Sequence, residues 1–312
     1  MGAYLVRRLL WAFPVLLVVS MIVFTILRLA PGDPVDTLLG QRYDPETAAQ
    51  LQAKYGYDKP LYVQYVKYMS NLAKGDLGVS TRHQDFTVKD VVVPKIWIST
   101  KLGFFALIIA FSLGIPIGLY AALARGTFMD PLIIGFWLLL DAVPAFVLTT
   151  FTAWFFALKL DLVSVAWRGI LSPNAILPIL IMSLPAVAGI ARFMRASVIS
   201  VLGEDYVRTA RAKGLKERTV IISHIGRNAM LPLVTVIGLS LPGITAGSFF
   251  VETFFGIPGI AAESLAAALT PDFDIILGLV LFGSTLFVLA NVVIDVMYAY
   301  IDPRIRVTGR RG

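Results

Sequence analysis

The sequence predicts an all-α polytopic membrane protein: six transmembrane helices, with an extracytoplasmic insertion between the first two. Composition is the first reason. Of 312 residues, 57% are hydrophobic and 15% charged, against about 45–50% and about 25% in soluble domains, and mean hydropathy is +0.79. The second reason is the recurrence of apolar runs near the roughly 20 residues that carry a helix across a hydrocarbon core of about 30 Å. Within lipid every backbone amide must be satisfied inside its own segment, so these runs are helical. The third reason is an asymmetric distribution of Lys and Arg between the segments that join them.

Taken in order, the predicted spans are Leu9–Leu29, Leu102–Leu123, Ile133–Leu158, Ile176–Ala191, Leu233–Val251 and Ile275–Tyr300. The first follows Arg7 and Arg8 as a secretory signal would. Its apolar run is too long for one, and Arg28-Leu29-Ala30 is no small-residue cleavage site, so it reads as an uncleaved span. With the N-terminus in the cytoplasm, the inside segments hold Arg7, Arg8, Arg125, the basic cluster from Arg192 to Arg227, and Arg304, Arg306, Arg310 and Arg311. The short outside loops hold only Lys159 and Arg168. That is the bias expected of cytoplasmic loops. It places both termini inside and makes the net charge of +7 a matter of topology and anionic lipid rather than of nucleic acid.

Residues 31–99 are too polar for the bilayer and too long for a plain loop. Within them Asp44–Tyr55 has helical spacing, with Ala48, Leu51 and Tyr55 on one side, and Leu61–Leu72 repeats it with Leu61, Tyr65, Tyr68 and Leu72. Gly75-Asp76-Leu77-Gly78 is a turn. Thr87–Val93 is β-branched and fits a strand or a short helix equally. Prolines 14, 116, 144, 178, 185 and 242 each remove a backbone donor inside a span. They serve either irregular packing or flexing at a gate. Gly114-Ile-Pro-Ile-Gly118 and Gly243-Ile-Thr-Ala-Gly247 allow helices to approach closely, within one chain or between subunits.

Charge inside the spans is scarce. Asp141, three residues before Pro144, lies well inside the third span. An Asp at the bilayer centre costs about 2.5–3.5 kcal/mol, so it faces protein or water, either as a structural hydrogen-bonding group or on a translocation pathway. Pro144 and Pro242 are the other candidate pathway residues. Asp295 and Lys101 sit near predicted span ends, where the interface is within reach. The chain lacks the series of intramembrane ionisable groups that a proton-coupled carrier uses. It has no cysteine and two histidines far apart, His83 and His224, so no metal site can be built from His and Cys spacing. H-E-x-x-H, G-x-S-x-G and the phosphate-binding G-x-x-x-x-G-K-[ST] are all absent. If ATP drives this protein, another subunit brings the nucleotide site.

The largest charge cluster is Glu204–Pro232, between two apolar runs. Gly203–Lys213 has helical periodicity, Gly214 is a natural helix-ending glycine, and Glu217–Met230 resumes the helix. Glu204 and Asp205 at the start and basic residues toward the end complement the helix dipole. Such a hairpin either lies on anionic lipid or docks in a partner's groove; the small residues around Gly214 suit the second.

Tyr206-Val-Arg-Thr-Ala-Arg-Ala-Lys-Gly-Leu215 resembles the cytoplasmic loop, with its E-A-A-x-x-x-G core, of membrane subunits of ATP-binding-cassette importers. Arg28-Leu-Ala-Pro-Gly-Asp-Pro34, Leu61-Tyr-Val-Gln-Tyr65 with Gly75-Asp-Leu-Gly-Val-Ser80, and Val251-Glu-Thr-Phe-Phe-Gly-Ile-Pro-Gly-Ile260 are similar to further stretches of the B-type subunit of dipeptide/oligopeptide/nickel permeases. The resemblance covers nearly the whole chain. It departs at the generic core, where Arg208-Thr209-Ala210 stand in place of Glu-Ala-Ala and only Ala210 and Gly214 match. Leu231-Pro232 also lies farther from Gly214 than in the shortest versions.

The resemblance implies a type I importer permease fold and a permease subunit in a bacterial or archaeal cytoplasmic membrane. Residues 200–230 would couple to ATPase subunits through Glu204, Tyr206, Arg208, Thr209, Ala210, Arg211, Ala212, Lys213, Gly214 and Leu215, with Ala210 and Gly214 allowing close approach. Its partners would be a second, C-type permease subunit, two ATPase subunits that hold ATP and Mg, and an extracytoplasmic substrate-binding protein. The chain itself would bind no cofactor and do no chemistry. Di- and oligopeptides are the implied cargo, with nickel chelates, glutathione and oligosaccharides as alternatives within the family. A secondary transporter or channel is the rival class.

Overall fold

A computed structural model describes residues 2–30, 35, 39, 44–80, 82–83, 86–270 and 272–301; for residues 2–5, 9, 241, 242 and 295–301 it describes the backbone alone. The described residues form helices α1 (Gly2–Leu29), α2 (Pro45–Tyr55), α3 (Leu61–Ala73), α4 (Val88–Leu123), α5 (Met129–Ala142), α6 (Ala145–Lys159), α7 (Ile176–Leu202), α8 (Asp205–Ala212), α9 (Glu217–Ala229), α10 (Leu231–Ile244), α11 (Phe249–Phe254), α12 (Ile260–Leu269) and α13 (Phe273–Ile301). Among them the only strand-like feature is an isolated bridge between Val79 and Thr87. Four helices are long and apolar enough to cross a membrane, and up to six spans result if each of two bent pairs counts as one. Residues 31–34 of the stretch after the first span, and Arg304, Arg306, Arg310 and Arg311, lie outside the described residues.

The chain divides into two compact units, Met1–Ser99 with Pro258–Gly312, and Thr100–Ile257. In the first, α1 runs along α13, with Phe24, Leu277 and Leu281 buried between them. The second insertion helix, α3, lays Tyr65, Tyr68 and Leu72 onto that seam, as its spacing predicts, while Leu61 stays exposed. The Tyr65 ring meets Phe24 edge-on at 5.4 Å between centroids, and its hydroxyl lies 2.8 Å from Ser20 Oγ. In α2, Asp44 caps the first turn through the Thr47 amide at 3.0 Å, and Gly56 ends it with φ 80°.

Thr87–Val93, which fits strand or helix in sequence, begins the long helix α4. Thr87 Oγ1 accepts the Asp90 amide at 3.2 Å and Asp90 Oδ2 accepts the Thr87 amide at 3.2 Å. This reciprocal cap satisfies amides that a helix start leaves orphaned. α4 therefore starts at Val88, well before the predicted Leu102, and Lys101 lies inside it. Its 36 residues extend about 54 Å at 1.5 Å per residue, more than a hydrocarbon core requires. Val88, Val91, Val92 and Ile96 on its first turns pack with Ile260, Ala267, Ile275 and Leu279.

In the second unit the third predicted span, Ile133–Leu158, is broken at its proline into two helices. α5 and α6 meet at 97°. Pro144 has no amide to continue the ladder, and its ring pushes the preceding residue out of helical conformation; Val143 sits at φ −75°, ψ 124°. The last turns of α6, Trp154–Lys159, are π-helical. The fourth span continues past Ala191 to Leu202. The fifth ends at Ile244 rather than Val251, because the chain turns at Gly247 (φ 69°) before α11. Pro185, by contrast, is absorbed within α7.

The core of this unit joins α4 and α7 through Ala110, Ala122, Val187, Ile190, Met194 and Val198. The glycine pair at 114 and 118 serves this contact inside the chain. A Cβ on Gly114 would stand 2.7 Å from Ile190 Cγ2, and one on Gly118 2.4 Å from the Ala191 carbonyl oxygen. Gly118→Ala therefore forces two backbones apart and costs the purified chain about 1–3 kcal/mol of stability. Gly135→Ala, where a Cβ meets nothing within 4 Å, is the control expected to lose none. Chemical unfolding in detergent checks both, and equal midpoints would refute the packing argument.

Candidate functional site

The hairpin after α7 is built on a buried apolar underside. Val207 and Ala210 of α8 are 0% and 4% exposed, and they pack with Val220, Ile225 and Ala229 of α9 and with Leu233. The turn between the helices is a Schellman motif. The Gly214 amide donates to the Arg211 carbonyl at 2.9 Å, and the Leu215 amide donates to the Ala210 carbonyl at 3.4 Å. Gly214 carries φ 75°, a left-handed conformation that a Cβ disfavours. Arg211 forks onto Glu217, with Nη2 at 2.6 Å from Oε1 and Nε at 3.2 Å from Oε2. Both side chains are about half exposed, so the staple orients the two helices more than it stabilises them.

This places each predicted coupling residue. Glu204, Tyr206, Arg208, Thr209, Arg211, Ala212, Lys213, Gly214 and Leu215 are exposed. Thr209 Oγ1 donates to the Asp205 carbonyl at 2.9 Å, and Arg208 Nη1 stands 3.7 Å from Asp205 Oδ1. Ala210 is turned inward, so its smallness serves the close packing of α8 on its own chain rather than the approach of a partner. Around Gly214, a Cβ would meet nothing within 4 Å. The outward surface is accordingly a basic one with Tyr206 and Leu215 as its apolar elements. His224 lies in the π-helical stretch Val220–Gly226, where its carbonyl accepts from Asn228 Nδ2 at 2.8 Å.

The break between α5 and α6 opens a cavity of about 550 Å³ whose wall includes Asp141, Pro144, Met182, Pro185, Ser240 and Ser248. Two of the predicted pathway residues thus share one cavity; the Pro242 side chain lies outside the described residues. Two Asp–Arg pairs bridge α5 and α7. Asp130 and Arg195 close a fork at 2.5 and 2.6 Å with Asp130 buried. Asp141 and Arg192 approach only to 3.8 Å, with side chains 34% and 50% exposed.

A third charged group was not evident from the sequence. Glu263 of α12 is 4% exposed. The Lys95 ammonium donates to its Oε2, His83 Nε2 lies 3.2 Å from Oε1, and Arg82 Nη1 lies 3.7 Å away. Burial alone would raise the carboxyl's pKa, but the Lys95 hydrogen bond and charge, the His83 hydrogen bond and the Arg82 charge outweigh it and hold it below the usual carboxylate range. Asp272 supports the group from beneath. It accepts from Ser80 Oγ at 2.6 Å, from the Arg82 amide at 3.1 Å and from the Ile275 amide at 3.2 Å. The partners lie far apart in sequence, and no spacing rule links them. Among the described residues no three His, Asp or Glu side chains converge as metal ligands would.

Comparison with known proteins gives concordant results. Residues 114–307 match the family described as binding-protein-dependent transport system inner membrane component, and residues 1–86 match the N-terminal family of such membrane components. The chain is 38% identical over 304 residues to the oligopeptide transport system permease protein OppB of Haemophilus influenzae, covering 97% of this chain and 99% of that one. It is 34% identical over 343 residues to the dipeptide transport system permease protein DppB of Escherichia coli, covering 97% and 98%. A solved structure of the MetNI methionine ABC transporter, inward facing, has a chain that superposes with a TM-score of 0.56. At 14% identity, and covering 68% of this chain and 96% of that one, it is a likeness of fold.

Proposed function

This chain belongs to the family of binding-protein-dependent transport system inner membrane components, and from that premise we propose that it is the permease subunit of an ATP-binding-cassette importer for di- and oligopeptides. The observation that carries the proposal is the end-to-end match to permeases named for oligopeptide and dipeptide transport. The chain forms one half of a translocation pathway in a cytoplasmic membrane, with both termini inside, and a second, C-type permease supplies the other half. A binding protein delivers cargo at the outer face.

Energy enters through the hairpin. Two ATPase subunits hold ATP and Mg, and the exposed face of α8 with Gly214 and Leu215 docks on one of them. Arg208 and Lys213 find acidic or carbonyl acceptors there. Closure of the ATPases moves the hairpin, and α7 and α10 carry that movement because the hairpin joins them directly. The buried underside at Val207 and Ala210 supports the idea that the hairpin moves with this unit as one piece. Nickel, glutathione and oligosaccharide carriers share the family resemblance, but no residue here favours them over peptides.

The test is uptake of a labelled tripeptide into proteoliposomes that hold the permease pair, its co-encoded ATPases and its binding protein. ATP-dependent accumulation is expected. Uptake without ATP, or a purified chain that never retains an ATPase, would overturn the importer reading in favour of a channel or secondary carrier.

A further inference from the structure

Asp141, two residues before the break between α5 and α6, faces Arg192 of α7, and the geometry of this pair differs from that of a structural one. α5 and α7 are joined by two Asp–Arg pairs. Asp130 and Arg195 are in full contact through two hydrogen bonds, at 2.5 and 2.6 Å. Asp141 and Arg192 stand 3.8 Å apart, beyond hydrogen-bond distance. The first carboxylate is buried; the second is 34% exposed in its side chain and forms part of the cavity wall. An exposed carboxylate inside a span faces water or protein, not acyl chains. A broken backbone at that depth is likewise tolerated where it lines a polar cavity. Here both conditions meet at one place, since Val143 leaves the helical region immediately after α5 ends.

We propose that the Asp141 carboxylate is a substrate-binding group that receives the α-ammonium of a peptide passing through this cavity, with Arg192 as the resident cation it releases. The inference rests on the peptide reading above. The exchange replaces one cation by another beside Asp141, so the carboxylate stays paired as cargo enters. Arg192 is half exposed, so its guanidinium has solvent to turn into. A peptide amine, with an unperturbed pKa of about 7.7–8.0, is charged at neutral pH. Its compact N–H donors can close to hydrogen-bond distance on a carboxylate that Arg192 leaves at 3.8 Å. Ser240 and Ser248 contribute hydroxyl groups to the same cavity wall. Asp130 has no such vacancy.

The test uses the complete transporter in proteoliposomes, with binding protein saturated by radiolabelled trialanine or N-acetyltrialanine. The binding protein's own preference then cancels in the ratio of variant to parent. Asp141→Asn is expected to lower the initial trialanine uptake rate about tenfold, the effect of one charged hydrogen bond, and to leave N-acetyltrialanine within about twofold of parent. Loss of both substrates alike would assign Asp141 a bracing role and overturn the proposal, as would no loss of either. The double variant Asp141→Arg with Arg192→Asp decides with trialanine alone. It rebuilds the ion pair but puts the cation on the wrong helix, so uptake stays low if Asp141 reads the amine and recovers if the pair is a brace. A parent complex that moves neither substrate with ATP present overturns the peptide reading itself, and this inference with it.

Discussion

Gly214→Arg is expected to leave the chain inserted and folded while abolishing ATP-driven uptake. The structure separates the two effects. A Cβ at Gly214 meets nothing within 4 Å, so no core contact is lost and the new side chain projects into open space. The intrinsic cost is that of a non-glycine residue at φ 75°, about 1–2 kcal/mol, which is modest beside the apolar underside that holds α8 in place. What changes is the outward surface, where a long charged side chain now stands at the centre of the proposed docking face. Gly214→Asn is the control, because Asn tolerates the left-handed conformation and adds little bulk. Uptake should fall at least about tenfold for Arg, equivalent to about 1.4 kcal/mol or more of coupling, and stay within about threefold for Asn. Protease resistance in detergent and retention of the ATPase on affinity resin are read alongside. Parental uptake by Gly214→Arg with the ATPase still bound would show that the hairpin couples to nothing at this face.

The hairpin also shows what the sequence makes legible. Two helices around a glycine follow from periodicity and from turn chemistry that the Schellman bonds then display. Periodicity states which residues share a face but not which face is covered, and that is why Ala210 reads as a partner contact in sequence and is core in the fold. The same logic applies to the third span. Pro144 announces a defect, yet Pro185 is absorbed within α7 while Val143 before Pro144 leaves the helical region, so a proline in the sequence does not by itself give the size of the bend. Gly114 and Gly118 announce close approach without naming the neighbour; the neighbour is α7 of the same chain. The Glu263 cluster gave no signal at all. Lys95, His83 and Arg82 are unremarkable basic residues in the polar stretch 31–99 until α12 brings a carboxylate among them.

That cluster carries the largest stability effect expected here. Glu263 is nearly inaccessible, and the Lys95 and Arg82 cations and the His83 ring around it are between a fifth and a third exposed. Arg82 Nη1 is buried with no hydrogen-bond partner, so attraction to the carboxylate is what compensates its desolvation. Glu263→Ala removes the anion and leaves positive charges facing one another in a poorly solvated place. Breaking one partner of a buried pair costs about 3–5 kcal/mol, and the partial exposure of the cations puts this case near about 3 kcal/mol. Lys95→Met with Glu263→Met is expected to recover a large part of that loss, since apolar contact replaces a charge pair that had to be desolvated. Acid titration adds an independent check. The Glu263 carboxyl titrates below its ordinary value of 4.5 in the folded chain. Its contribution is therefore fully present above that value and fades as pH falls through the lower, folded pKa. Unfolding midpoints in detergent should show the parent losing stability below about pH 4.5 while Glu263→Ala loses less over the same range. A Glu263→Ala protein as stable as its parent at neutral pH would mean that the cations are adequately solvated without the carboxylate, and that the cluster does not hold α12 in place.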